Sequence, residues 1–222
     1  MLIRIILAVA IIALLVWGLF TTAGRWDWMQ GWVYLAVIIG GVRSAMSFFG
    51  GRTRSCYVDE VALVKEQRPG TRSFSVFGVT SVLMMFIGAL DSGRYQWSVM
   101  SPWLWPVGAA LYIIGQIVLT WSMLANAFFE KTARIQTNRG HRVIDSGPYR
   151  YVRHPGYIGT ILGLVLGSPL MLGSWWAFVP AIATVLGLII RTVLEDRMLM
   201  QELAGYEAYA KRVRYRLIPS LW

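Results

Sequence analysis

Cysteine and histidine are nearly absent from this chain, which has one cysteine, Cys56, and two histidines, His141 and His154. A single cysteine excludes an intrachain disulfide framework and any cysteine-based metal cluster within the chain. Two histidines thirteen residues apart make a weak metal site, so we predict no metal. The sequence also lacks HExxH, the Walker loop GxxxxGK[ST], GxSxG and the Rossmann GxGxxG, which removes the common signatures of zinc proteases, nucleotide-binding proteins and serine hydrolases.

Charged residues are scarce as well, at 14% of 222 residues, whereas 56% are hydrophobic. A soluble domain of this size has no interior large enough to bury so much apolar surface. The composition therefore predicts an integral membrane protein. The formal net charge is +10, but the basic residues stand in short segments between apolar runs and not in one continuous patch. We therefore predict contact with membrane lipids and no nucleic-acid partner.

Long apolar runs predict an all-α fold with five to six transmembrane helices. A helix needs about 20 residues to cross the hydrocarbon core, and the runs 2–20, 32–50, 74–90 and 103–129 are close to that length or longer. The first run competes with a signal peptide, but it is longer than the usual apolar stretch of about 7–15 residues, which favours a retained helix. The uncharged run 157–190, with a turn at Gly173 and Ser174, predicts a tight hairpin of two short spans.

Lysine and arginine are distributed unevenly if the chain crosses the membrane six times. Eighteen of the 21 lie on the side of the N-terminus, Arg25 and Arg94 lie on the other, and Arg43 lies inside the second span. Because cytoplasmic loops carry the excess of basic residues, the asymmetry predicts that the segment 130–156 and the C-terminal tail are cytoplasmic. We divide the chain into a transmembrane part, residues 1–129, and a region 130–222 that carries the chemistry.

A polar island, residues 145–159, separates two of the apolar runs. It combines one histidine, two arginines and three tyrosines with glycine and proline. A simple connection between two helices needs none of these groups, so the composition indicates a binding site. We expect the turn at Gly147 and Pro148 and the segment 153–156 to present backbone N–H groups, an imidazole and aromatic rings at the membrane boundary.

A second polar segment follows the predicted hairpin, where the last helix leaves the bilayer. Arg191 and Glu195 are four residues apart, on one face of a helix, and Asp196 comes next. An ordinary ion pair at a helix end beside a positive-inside flank explains this spacing equally well. A site forms if this segment and the polar island meet on the same side of the membrane.

Seven short motifs occur in order in the second half of the chain: NAFFE at 126–130, RIQ at 134–136, HRVI at 141–144, GPY at 147–149, VRHPGY at 152–157, RTxxED at 191–196 and GYxxY at 205–209. Together they resemble the isoprenylcysteine carboxyl methyltransferase family, integral membrane enzymes that use S-adenosylmethionine. The element RHPxY followed by an acidic pair is fairly specific for this family and the related phospholipid N-methyltransferases. The first hundred residues share mainly hydropathy with it.

The resemblance implies a binding site for the methyl donor and a separate side for the acceptor. Arg191 would face the acceptor, and Arg191 and Glu195 would be the catalytic residues. The donor would be held by Gln136, His141, Arg142, Val143, Ile144, Tyr149, His154, Pro155, Gly156, Tyr157 and Glu195. Aromatic faces and a carboxylate suit a cationic sulfonium, and an arginine suits an anionic carboxylate. The family's eukaryotic members carry glutamate where this chain has Asp196.

The resemblance therefore predicts an S-adenosylmethionine-dependent membrane methyltransferase. Its acceptor would be a lipophilic small molecule or a prenylated molecule that enters from the bilayer, with an isoprenylcysteine-like carboxylate as the first candidate. Two alternatives stay open. A phospholipid or other amine N-methyltransferase would share the donor site but would set Arg191 against a cationic amine. A non-enzymatic transporter or assembly factor would have no use for His154 and Glu195 together. We predict no particular oligomeric state.

Overall fold

The computed structural model describes residues 2–49, 71–129, 140–219 and 222. All regular elements in these residues are helical, which confirms the all-α prediction. Cys56 and Gln136 lie outside the described residues, and so does the side chain of Arg43. Seven helices follow in order: α1 Leu2–Ala23, α2 Met29–Phe49, α3 Thr71–Gly88, α4 Leu104–Ala125, α5 Pro155–Leu172, α6 Phe178–Glu202 and α7 Tyr206–Arg212.

Three helices, α4, α5 and α6, are long and apolar enough to cross a membrane, and α1 and α2 contain the shorter apolar helices Ile12–Ala23 and Met29–Gly41. Large apolar side chains also cover the outer sides of α4 and α6, as expected of a surface that meets lipid. Examples are Ile114, Ile117, Ile182, Leu186 and Ile190. The described residues therefore support an all-α membrane protein, while the count of six spans stays a prediction.

The segment after α3 differs from the short exposed turn that its polar residues predict. The helix continues as a π-helical turn, Ala89–Tyr95, and ends at Gln96, which has a φ of 51°. Asp91 is completely buried within it. Its carboxylate accepts hydrogen bonds from Ser98 N at 2.7 Å, Ser98 Oγ at 2.5 Å and Ser174 Oγ at 2.6 Å. Because these donors satisfy the charge, a residue that predicts a surface turn is buried instead.

Glycine permits a close contact between α4 and α5. A Cβ atom at Gly115 would stand 2.4 Å from the backbone N of Gly163, and one at Gly108 would stand 2.8 Å from the carbonyl of Gly167. Small residues let membrane helices approach until their backbones touch. On α5 the glycines recur every four residues, with Gly159 as the first of the three, so they line one face of the helix. This contact holds the start of α5 beside the end of α4.

The connection between α5 and α6 contains Gly173, in the left-handed conformation with a φ of 69°, and Ser174. The Ser174 hydroxyl accepts a hydrogen bond from Ala177 N at 3.1 Å, next to the start of α6. Val165 of α5 and Ala181 of α6 pack together with Met84 of α3. These contacts place the beginning of α5 and the end of α6 at the same end of the bundle, as a reversal of chain direction requires.

Candidate functional site

A cleft opens at the end of the bundle where α4 ends and α5 begins. The end of α6, α7 and the segment 141–149 complete its walls. It encloses about 810 Å³, a volume that includes its open mouth. The polar island and the acidic pair of α6 therefore meet on one side of the bundle.

Nine of the residues that the sequence analysis assigns to the methyl donor line this cleft: His141, Arg142, Val143, Ile144, Tyr149, His154, Gly156, Tyr157 and Glu195. Pro155 does not line it. It is buried at the first position of α5, where its fixed φ and missing N–H suit the start of a helix. Gln136 lies outside the described residues. Arg191 is also absent from the cleft wall and reaches the site through Tyr157.

Tyr157 bonds to both Arg191 and Glu195, the two residues whose i,i+4 spacing predicts only a contact with each other. Its hydroxyl donates a hydrogen bond to Glu195 Oε2 and accepts one from Arg191 Nε at 2.7 Å. Arg191 Nε lies 3.7 Å from Glu195 Oε2, and the two side chains are only 10% and 22% exposed. The first turn of α5 is thus connected to α6 through one phenol, with the carboxylate on the cleft side.

Asp196 is a buried anchor with a different set of partners. Its side chain is 1% exposed. Arg153 Nη1 donates to both carboxylate oxygens, at 2.8 Å to Oδ1 and 2.6 Å to Oδ2. Tyr206 Oη donates to the same carboxylate at 2.8 Å and Arg216 Nε at 3.0 Å. Burial and the negative charge of Asp196 raise the pKa of Tyr206 well above its usual value, so this phenol stays a donor. One carboxylate therefore ties the residues before α5 to α7 and the C-terminal segment.

The backbone N–H groups of Arg153 and His154 are not presented to a ligand, and this expectation of the sequence analysis is wrong. Arg153 N donates to the carbonyl of Tyr215, and His154 N donates to the carbonyl of Arg216, both at 3.0 Å. Buried backbone donors need such partners. The C-terminal segment supplies them by pairing with the chain just before α5. The C-terminal segment therefore holds Arg153 and His154 in place from the side that faces away from the cleft.

Two aromatic stacks contribute flat surfaces to the cleft. The rings of His154 and Tyr157 are nearly parallel, with an interplanar angle of 2° and centroids 5.4 Å apart. His154 Nε2 lies 3.6 Å from Asp196 Oδ1, longer than a hydrogen bond. His141 stacks on Phe128 with centroids 4.5 Å apart. Such surfaces suit a planar base or a cation.

Tyr149 closes the cleft from the 3₁₀ turn Gly147–Arg150. Burial raises the pKa of its phenol to about 12, against the opposite effect of a hydrogen bond from Asn126, and the charge of Glu195 adds to the rise. The Asn126 amide donates to the phenol oxygen at 3.3 Å. Tyr209 Oη donates to the Tyr149 carbonyl at 2.9 Å. Tyr149 therefore stays protonated at neutral pH and can donate its proton to a ligand in the cleft.

Sequence reasoning assigned no role to several residues of the wall, among them Asn126, Phe128, Phe129, Met198 and Tyr206. Four of these lie within or beside motifs that the family resemblance includes, at 126–130 and 205–209. The motifs could therefore have identified these four residues as part of the wall. The sequence around a phenylalanine or methionine beside a membrane helix does not show whether it contacts a ligand, the core or lipid.

Residues 108–201 match the model of the isoprenylcysteine carboxyl methyltransferase (ICMT) family. This segment, 94 of the 222 residues, is similar to that family. The match begins within α4, includes the polar island and α5, and ends one residue before the end of α6. It therefore contains Tyr157, Glu195 and Asp196, and it confirms the resemblance that the motifs indicate.

Three curated relatives match part of the chain at low identity. Probable protein-S-isoprenylcysteine O-methyltransferases of Oryza sativa subsp. indica and subsp. japonica are each 28% identical over 110 residues, 48% of this chain and 57% of theirs. The cobalt-zinc-cadmium resistance protein CzcN of Cupriavidus metallidurans is 29% identical over 138 residues, 61% of this chain and 60% of its own. The chain thus spans about three fifths of the length of these relatives. In the part of the chain that the structure describes, no three His, Cys, Asp or Glu side chains come together as metal ligands.

Proposed function

We propose that this chain is an S-adenosylmethionine-dependent methyltransferase embedded in the membrane, and that it methylates the carboxylate of a lipophilic acceptor. The observation that carries the proposal is the linked set of Glu195 and Tyr157 at the wall of the cleft, with Arg191 bonded to the Tyr157 hydroxyl behind that wall. The match of residues 108–201 to the ICMT family model and the printed names of the Oryza relatives support the reaction class.

The residues of the cleft fit the methyl donor. Its sulfonium is a cation, which the Glu195 carboxylate and the nearly parallel rings of His154 and Tyr157 can stabilise. Its adenine is planar and matches the aromatic surface of His141 and Phe128. Its amino-acid end carries a carboxylate, for which the exposed Arg142 at the cleft offers a bidentate partner.

When bound, S-adenosylmethionine supplies an electrophilic methyl group: an acceptor carboxylate oxygen bonds to its carbon as the carbon–sulfur bond breaks, and the electron pair stays on sulfur. No proton has to be removed, so the chain needs no general base for an O-methylation. Glu195 stabilises a cation in the cleft, and Arg191, which the Tyr157 hydroxyl links to Glu195, binds the acceptor carboxylate. Each reactant then lies beside a residue of the opposite charge, which favours bringing the two reactants together. The partial burial of Arg191 and Glu195 strengthens these interactions.

Calorimetry with two ligands tests the methyl-donor site. S-Adenosylmethionine is cationic at sulfur, whereas S-adenosylhomocysteine is neutral there, so Glu195→Gln should weaken the first about ten-fold, or ~1.4 kcal/mol, and the second much less. Glu202→Gln, an exposed change on the same helix, should leave both affinities as in the wild type. Equal losses of affinity for the two ligands would show that Glu195 does not interact with the sulfonium. Absence of binding to folded wild type would favour the non-enzymatic alternative.

Transfer of a labelled methyl group tests the acceptor. N-Acetyl-S-farnesylcysteine serves as the carboxylate probe and phosphatidylethanolamine as the amine probe, and base treatment releases methanol from a methyl ester but not from an N-methyl product. We expect base-labile product from the farnesylcysteine. Arg191→Ala should reduce its formation at least ten-fold, whereas Arg197→Ala, an exposed change on the same helix, should not. Base-stable product from the lipid would establish the N-methyltransferase alternative.

We further propose five to six spans, with α5 and α6 as a tight hairpin, the catalytic region at 130–222 and the cleft on the cytoplasmic side. The asymmetry of basic residues supports the sidedness. A test starts from Cys56→Ser, which removes the single cysteine. A membrane-impermeant maleimide applied to intact cells should then label Arg94→Cys and spare Lys211→Cys until the membrane is opened. The reverse labelling pattern would invert the topology.

A further inference from the structure

A second, shallow cleft lies beside the first and is lined by arginine and tyrosine. Its walls include Arg150 and Tyr151 from the polar island, and Arg212, Arg214 and Tyr215 from the end of α7 and the C-terminal segment. It encloses about 610 Å³ including its open side. We call these five residues the arginine cleft. None of them lines the methyl-donor cleft.

The positive charge of the arginine cleft is largely uncompensated. Arg212 forms an ion pair with Asp145. Within the described residues, the exposed side chains of Arg150 and Arg214 form no ion pair or hydrogen bond. The pairing of the chain before α5 with the C-terminal segment brings these two arginines, 64 residues apart in sequence, to one cleft. The fold therefore concentrates two free cations at one place, at an electrostatic cost that a bound anion would remove.

The arginine cleft also lies close to the first residue of a candidate membrane span, α5. Tyr151 precedes the first residue of α5, a candidate membrane span, by four residues, at most about 14 Å along an extended chain. The headgroup layer adds roughly 5–8 Å outside the hydrocarbon core, and arginine side chains extend toward such a layer. Tyrosine is favoured at that depth because its ring is apolar and its hydroxyl is polar. Tyr151 is 66% exposed and Tyr215 is 37% exposed.

We propose that the arginine cleft binds the phosphate of an anionic phospholipid headgroup. The two guanidinium groups provide planar, bidentate donors for phosphate oxygens, and the tyrosine rings contact the glycerol region. Each basic residue near an anionic surface strengthens lipid binding about five-fold at low salt. This inference requires only that α5 spans the membrane, so it stands or falls separately from the methyltransferase activity.

Native mass spectrometry of the delipidated full chain, titrated with dioleoyl phosphatidylglycerol or dioleoyl phosphatidylcholine, tests the proposal. The wild type should bind the first phosphatidylglycerol at least five-fold more tightly than phosphatidylcholine, and the double variant Arg150→Gln, Arg214→Gln should lose that preference. The matched control, Arg197→Gln with Lys211→Gln, removes the same charge from exposed sites outside the arginine cleft and should keep it. Arg150→Glu alone, at one exposed residue, should also abolish the preference and provides a second reading if the double variant does not fold.

Three outcomes overturn the proposal. The wild type could show no preference for the anionic lipid, or both double variants could lose it equally, which would make it a property of overall charge. Displacement of phosphatidylglycerol by excess inorganic phosphate would assign the arginine cleft to a soluble anion. Retention of the lipid in excess phosphate, together with its loss only in the Arg150 and Arg214 variants, supports a headgroup site.

Discussion

Asp196→Asn removes one buried negative charge and changes the shape of the side chain very little. Arg153, whose side chain is 6% exposed, then has a buried positive charge without its counter-ion. The NH₂ group of the new amide also faces side chains that themselves donate hydrogen bonds. Breaking a buried ion pair in this way costs about 3–5 kcal/mol. Because the other partners, Tyr206 and Arg216, belong to the C-terminal part, we expect the loss to appear as opening of residues 203–217.

Asp145→Asn is the matched control because it breaks the exposed ion pair with Arg212. Those side chains are 55% and 64% exposed, and an exposed pair contributes less than about 1 kcal/mol. Limited trypsin cleavage at Lys211, Arg212 and Arg214 measures the opening, since cleavage follows the open population when closing is fast. At about 1.4 kcal/mol per factor of ten, Asp196→Asn should accelerate cleavage by roughly two to four orders of magnitude, and Asp145→Asn by less than about ten-fold.

The affinity for S-adenosylhomocysteine should fall together with protection from trypsin, because Leu203, Tyr206 and Tyr209 form one wall of the cleft. Helical content by circular dichroism should stay near that of the wild type, since α4, α5 and α6 keep their own contacts. Equal cleavage rates in the two variants, or unchanged affinity in an Asp196→Asn protein whose C-terminal segment is cut rapidly, would refute the anchoring argument.

Three further changes have definite expected results. Tyr157→Phe keeps the ring but removes the hydroxyl that joins the arginine and the glutamate, so methyl-transfer rates should fall about ten- to hundred-fold with little change in S-adenosylhomocysteine affinity. Gly115→Val should prevent recovery of folded protein in detergent because its Cβ meets the Gly163 backbone, whereas Gly78→Ala, with open space around it, should behave as the wild type. Asp91→Asn should lower the melting temperature and leave ligand affinity unchanged, since its partners, Ser98 before α4 and Ser174 after α5, lie at the end of the bundle away from the cleft.

Composition predicted the helical class, and the family motifs named most of the assigned residues that line the cleft, because each motif is a short stretch that can be recognised locally. Of the ten assigned methyl-donor residues that the structure describes, only Pro155 is absent from the cleft wall. The contact between α4 and α5 was harder to predict from the sequence. The glycine spacing on α5 is visible in the sequence, but nothing local identifies α4 as the helix that it meets.

The partners of Asp196 could not be predicted because they lie 10, 20 and 43 residues away in the chain. Local spacing identifies Arg191 and Glu195 as a pair but cannot place Tyr157 between them, since that contact spans 34 and 38 residues. The burial of Asp91 could not be predicted for the same reason. A charged residue between two apolar runs is typical of a surface turn unless the distant serine that donates to its carboxylate is known.

Glu195 and Asp196, the two adjacent acidic residues of α6, have different surroundings because consecutive side chains on a helix point about 100° apart. Glu195 points toward the cleft and keeps 22% of its side chain exposed, so it can respond to a cation there. Asp196 points toward the C-terminal segment, where Arg153, Arg216 and Tyr206 use its lone pairs. Without a carboxylate at position 196, the donors on Arg153, Tyr206 and Arg216 would lose their shared acceptor. Under the proposed function, the acidic pair combines one carboxylate for a ligand, Glu195, with one that holds the wall of the cleft in place, Asp196.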